Sequence, residues 1–178
     1  MRKLLLPILI SLSTLTAAES PKGFFGFSLF DSAEDKVHPL EIKEKVRNAE
    51  TISDFYDISV KFPPKPNPYF ENYYLVLDSE NIIHGIQGQK SNIINLETCK
   101  KEMVEIKNAI EGIYNIRFDY EEKTNPGFVT KRYRYYDKDS NWYSIQCNQK
   151  SNRSVSLLIG IDSAKFNESV IAFYNRGF

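Results

Sequence analysis

In one stretch of the chain apolar residues recur every three or four positions: Leu96, Cys99, Met103, Ile106, Ile110 and Ile113. Such spacing gathers them on one side of an α-helix and predicts a stripe facing a core. Asn95 fits the N-cap, Glu97 the first turn and Asn115 the left-handed position that closes a helix, while Gly112 weakens the last turn. A shorter amphipathic pattern comes earlier, where Leu40, Ile42 and Val46 are separated by charged residues as far as Arg47 and Pro39 suits the first turn. Asp31 followed by Glu34 has the form of a capping box just before it.

Elsewhere the period is two. Tyr56, Ile58, Val60 and Phe62 alternate with Asp57, Ser59 and Lys61, the mark of a half-buried strand. The prolines of residues 63–68 lack amide donors and fix φ, so the chain must turn a corner there. Residues 69–77 then read as a strand, 78–81 as a polar turn and 82–87 as the returning strand. Beyond Pro126 and Gly127, strands are predicted at 128–136, 142–149 and 154–161, joined by polar turns at 137–141 and 150–153. Residues 22–27, apolar and punctuated by glycine, suit an edge strand or a plug over the core, and the apolar piece 170–174 a last strand or a short helix. The order is a helix and three strands, then a helix and three strands. That predicts an α+β fold, an antiparallel sheet of about six to seven strands with two main helices packed on one face.

The N-terminus changes the picture. Arg2 and Lys3 precede an apolar run from Leu4 to Leu15, with small residues Ala17 and Ala18 at a cleavage position, the form of a secretory signal peptide. The run is too short and too broken by Pro7, Ser11, Ser13 and Thr14 for a membrane anchor, so no stable membrane insertion is expected after cleavage. Residues 1–18 are therefore expected to be a signal peptide and 19–178 a single domain, periplasmic or secreted. Without Arg2 and Lys3 the chain carries 21 basic against 23 acidic side chains and no long basic run, so polyanion binding, nucleic acid included, is not expected.

Export bears on the two cysteines. Cys99 lies on the helical stripe, and Cys147 shares a strand face with Tyr143 and Ile145, so both thiols are directed into one core. In an oxidising compartment they are expected to form a disulfide.

Catalytic signatures are missing. His38 precedes a helix start and His84 sits between Ile83 and Gly85, neither in a metal-binding or nucleophile-base spacing, and both read as structural or surface histidines. Glu121 and Glu122, like Asp137 and Asp139, read as solvated charges in turns without the alternating ligands of a calcium loop. No catalytic residue, metal site or cofactor is expected. The aromatic residues carry the functional hint, because Tyr73, Tyr74, Tyr133, Tyr135 and Trp142 belong to hairpins with more rings than one core face needs. The expectation is a non-enzymatic exported protein that binds another envelope or secreted protein, or alternatively a glycan or peptidoglycan through exposed Tyr and Trp.

Two segments carry a resemblance. Gly23-Phe24-Phe25-Gly26-Phe27, followed by Pro63-Pro64-Lys65-Pro66-Asn67-Pro68-Tyr69-Phe70-Glu71-Asn72-Tyr73-Tyr74, resembles a family of small uncharacterised exported bacterial proteins. Where that family's helix end reads Tyr-Gly, this chain has Tyr114-Asn115, a substitution the left-handed conformation allows. The family brings no assigned activity. More distantly, the order of helices and strands is similar to small envelope proteins of the SmpA/OmlA type and to the β-lactamase-inhibitor-protein-like fold, which bind proteins; this likeness concerns the fold alone.

Overall fold

The computed structural model describes residues 20–176, and the expected signal peptide lies outside them. Alternating side chains build eight strands: β1 (Val46–Arg47), β2 (Tyr56–Val60), β3 (Asn72–Leu77), β4 (Ile83–Ile93), β5 (Asp119–Asn125), β6 (Phe128–Tyr136), β7 (Trp142–Lys150) and β8 (Val155–Asp162). They form one sheet, ordered β1-β2-β3-β4-β8-β7-β6-β5, in which every neighbouring pair is antiparallel. Two meanders thus meet at a seam between β4 and β8, where Gly85 stands opposite Asp162 and Lys90 opposite Leu157.

The fold is α+β as expected, but the sheet has eight strands instead of six to seven. Both additional strands are edge strands. Val46 and Arg47, read as the end of a helix, pair with Asp57 and Tyr56 instead. Glu121 and Glu122, read as turn residues, lie in β5 and pair with Arg132 and Lys131 of β6. A segment as polar as Asp-Tyr-Glu-Glu-Lys-Thr-Asn is held as a strand by its partner's ladder, because it has no apolar alternation of its own.

Three helices accompany the sheet: α1 (Pro39–Lys43), α2 (Leu96–Tyr114) and α3 (Ala164–Tyr174). Asn95 caps α2 by accepting the Thr98 N–H at 2.8 Å, and Asn115 closes it with φ 51°. Cys99, Met103 and Ile110 of α2 and Ile42 of α1 join Tyr73, Leu75, Ile86, Ile145, Leu157 and Ile161 in the main core. The far end of the stripe departs from expectation, with Ile113 exposed, Glu111 buried and Ile116 in the core instead. A straight helix over a twisted sheet meets it along a line that drifts around the helix, here toward Lys107, Glu111 and Tyr114. Glu111 is kept charged there: burial raises its pKa, but the Phe118 N–H, Lys107 and Arg117 outweigh that and lower it.

Residues 22–27 are a plug and not a strand. The Phe25 ring lies against Phe70 and Tyr73, at centroid distances of 5.4 and 4.9 Å, and directly over Gly88, where a Cβ would collide with its Cζ. The Asp31 capping box is replaced by Ser32, which caps a short 3₁₀ turn, Ala33–Asp35, while Asp31 pairs with Lys36. Residues 170–174 belong to α3. Its Phe166 and Val170 pack on Phe55 and Val76, and since Val76 alternates with the core residues Leu75 and Leu77, α3 sits on the opposite face of the sheet from α2.

Candidate functional site

The second face of the sheet is only partly covered. Register places its side chains in three rows. The first runs Tyr136, Trp142, Asp162, Gly85, Val76, Asp57; the second Arg134, Ser144, Gly160, Gln87, Tyr74, Ser59; the third Glu121, Arg132, Gln146, Leu158, Gln89, Asn72. Among the described residues the buried apolar cluster on this face is Phe55, Val76 and Phe166, with Val170 packed against it, where α3 lies. The side chains of Ser144, Gln87, Gln146 and Leu158 are half-buried among their neighbours, and those of Ser144, Gln87 and Gln146 make no hydrogen bond within the described residues.

The five aromatic residues singled out from sequence separate onto two faces. Tyr74 and Trp142 stand on the open one, where Tyr74 donates to Gln89 Oε1 at 3.2 Å. Trp142 is stacked on Tyr136, 6.1 Å between centroids, and the Arg132 guanidinium lies 4.6 Å from the centre of its ring. Three strand spacings and one row separate Tyr74 from Trp142, about 15 Å. Tyr73, Tyr133 and Tyr135 point to the core face. Tyr73 is buried and pegs the proline corner, accepting the Asn67 N–H and lying 2.7 Å from the Asn67 carbonyl oxygen as donor. Tyr133 sits beneath Lys107 of α2, and Tyr135 lies against Tyr143 and Phe118.

Basic residues gather at the β5–β6 end. Arg132 Nη2, Lys123 Nζ and Arg134 Nη1 all reach Glu121, at 2.7, 2.9 and 3.2 Å. Bonds from Arg132 and Lys123 pull the Glu121 pKa down to about 2. Sequence analysis did not single out the arginines, although Arg132 and Arg134 alternate visibly with Tyr133 and Tyr135 and so had to face away from the core.

The α3 terminus holds a chain of polar groups that sequence analysis missed. Asp78 accepts the Nε2–H of His84 at 3.1 Å, which leaves Nδ1 to accept the Ser163 hydroxyl at 2.9 Å, and Ser163 Oγ caps α3 by accepting the Phe166 N–H. The residue types are those of a hydrolase triad. The arrangement is a different one, since Ser163 is completely buried and its oxygen is engaged on both sides, so no substrate reaches it. Burial lowers the His84 pKa despite Asp78, keeping the ring neutral. Asp162, one residue before, is 9 % exposed, its Oδ1 has no partner, and burial with the nearby Asp57 charge pushes its pKa up to about 7.

On the core face, Cys99 and Cys147 are joined by a disulfide, Cα to Cα 5.9 Å, tying α2 to β7. A groove of about 720 Å³ runs between residues 23–28 and the proline corner, lined by Phe24, Phe25, Pro64, Pro66 and Pro68. It lacks a convergent polar set. Among the described residues no three His, Cys, Asp or Glu side chains are grouped to hold a metal, and no helix is long and apolar enough to cross a membrane. The chain matches no family model, no curated protein and no solved structure.

Proposed function

We propose that this is an exported, non-enzymatic binding protein whose ligand lies on the open sheet face, and that the ligand is a polysaccharide. One observation carries this reading: Gln87 and Ser144, with Gln146 one row away, have side chains without a hydrogen bond among the described residues and share the open face with Tyr74 and the Trp142–Tyr136 stack. Amides and hydroxyls match sugar hydroxyls in both donor and acceptor capacity, and flat rings receive the apolar faces of pyranoses. The disulfide supports an oxidising compartment, periplasmic or extracellular. Purified protein is expected to be retained on insoluble peptidoglycan or on at least one immobilised polysaccharide of a panel, and Tyr74→Ala and Tyr136→Ala should release it without lowering the melting temperature by more than a few degrees. No retention on any polymer sinks the proposal.

A second reading keeps the same face and changes the partner to another envelope or secreted protein. Leu158 favours it, an apolar side chain in the middle of the face that a sugar does not require. Co-purification from the native envelope of a partner lost in Leu158→Asn decides for it.

A further inference from the structure

The balance of charge along the whole chain conceals a local excess. At the β5–β6 end of the open face Lys123, Arg132 and Arg134 converge on the single carboxylate of Glu121. Asp119 stands opposite Arg134 in register but forms no ion pair with it, so three cations face two carboxylates. The Arg134 side chain is 40 % exposed and holds Glu121 by one contact of 3.2 Å. Guanidinium groups bind carboxylates through two parallel N–H bonds, and most of this one is unused. The excess charge and the open side of Arg134 therefore call for an anionic partner.

We infer that the polysaccharide is acidic, with a sugar carboxylate bound at Arg134 while the ring that bears it lies against the Trp142–Tyr136 stack. This rests on the saccharide reading above. Tyr136, 50 % exposed, offers the accessible ring, and Arg134 is its neighbour two residues along the same face of β6. A neutral glycan would leave the guanidinium unanswered. An acidic chain such as polyglutamate would meet the same charge but has no pyranose ring to lay against the Trp142–Tyr136 stack.

Calorimetric titration with polygalacturonate, with its fully methyl-esterified form and with polyglutamate tests the assignment. Polygalacturonate should bind about tenfold more tightly than the ester, the worth of one charge-assisted bidentate contact. Arg134→Gln should bring the affinity for the acid down to that for the ester and leave the melting temperature unchanged, and Lys123→Gln should reduce the difference. Glu121→Gln, which removes the internal competitor, should act in the opposite direction and tighten the acidic polymer alone. Equal affinity of the unaltered protein for the acid and ester forms overturns the inference and leaves the saccharide reading standing. Absence of binding to both defeats the inference, and the wider polymer panel then judges the saccharide reading. Tighter, Arg134-dependent binding of polyglutamate would transfer the site to an acidic protein segment.

Discussion

Asp162 and His84 lie on either side of the α3 N-terminus and respond to pH in opposite senses. The native pKa of Asp162, about 7, lies above the 3.8 of an exposed carboxyl, so the folded chain holds this proton more tightly than the unfolded one. Below 3.8 the group costs nothing, and as pH rises toward 7 it becomes progressively destabilising. His84 has a lowered pKa, so its contribution is complete above 6.5 and is lost as pH falls below that value. Asp162→Asn should therefore gain on the unaltered protein by roughly 3 kcal/mol between about pH 4.5 and 7.5, read by urea unfolding at both. A difference that stays constant with pH would show that Asp162 is ionised normally. Ser163→Ala removes the α3 cap and the donor to His84 Nδ1 together, and should cost about 2 kcal/mol. Because the serine hydroxyl donates to the neutral ring, its loss should raise the His84 pKa, which an NMR titration of the ring protons reads directly.

At the scale of elements, the staple between α2 and β7 has the largest stability consequence. Replacing Cys99 and Cys147 with Ala should leave the fold intact and lower its stability by about 2–4 kcal/mol. Thermal unfolding with and without reductant checks this, and a melting temperature indifferent to reductant would refute it. The staple was legible because it joins two strong periodicities, the stripe of α2 and the alternation of Tyr143, Ile145 and Cys147. The caps of α2 were legible because Asn95 and Asn115 act locally. Elements made by their neighbours were not. β5 is a strand through β6 alone, and β1 is two residues held by β2. Helix α3 did carry a signal, Ser163 followed by Phe166 and Val170 at helical spacing, but the apolar run at its end obscured the phase. The open face was the least visible feature, because its amides and arginines gain meaning only once seven strands are set side by side.

For the molecule as a whole, protection should fall from the centre of the sheet outward. Native-state hydrogen exchange is expected to find the slowest amides in β4 and β8 and the fastest strand amides in β1 and β5, whose outer edges pair with no strand among the described residues. Slow exchange along β5 would mean that its outer edge is covered in solution. The seam has a further consequence for the order in which the chain assembles. The N-terminal meander ends on β4, whose second edge waits for the last strand to be made, and α2 rests chiefly on β7 and β8, so neither has its support until residue 162 has arrived. Long-range pairing of this kind is slow to form, since the intervening chain must be closed before the contacts repay it. A truncated chain ending before β8 should therefore remain unfolded by circular dichroism, with no stable half-molecule. Under the export proposed above, with the chain threaded from its N-terminus, a centre that forms last would act as a safety catch: the part still to cross would stay extended until β8 had passed.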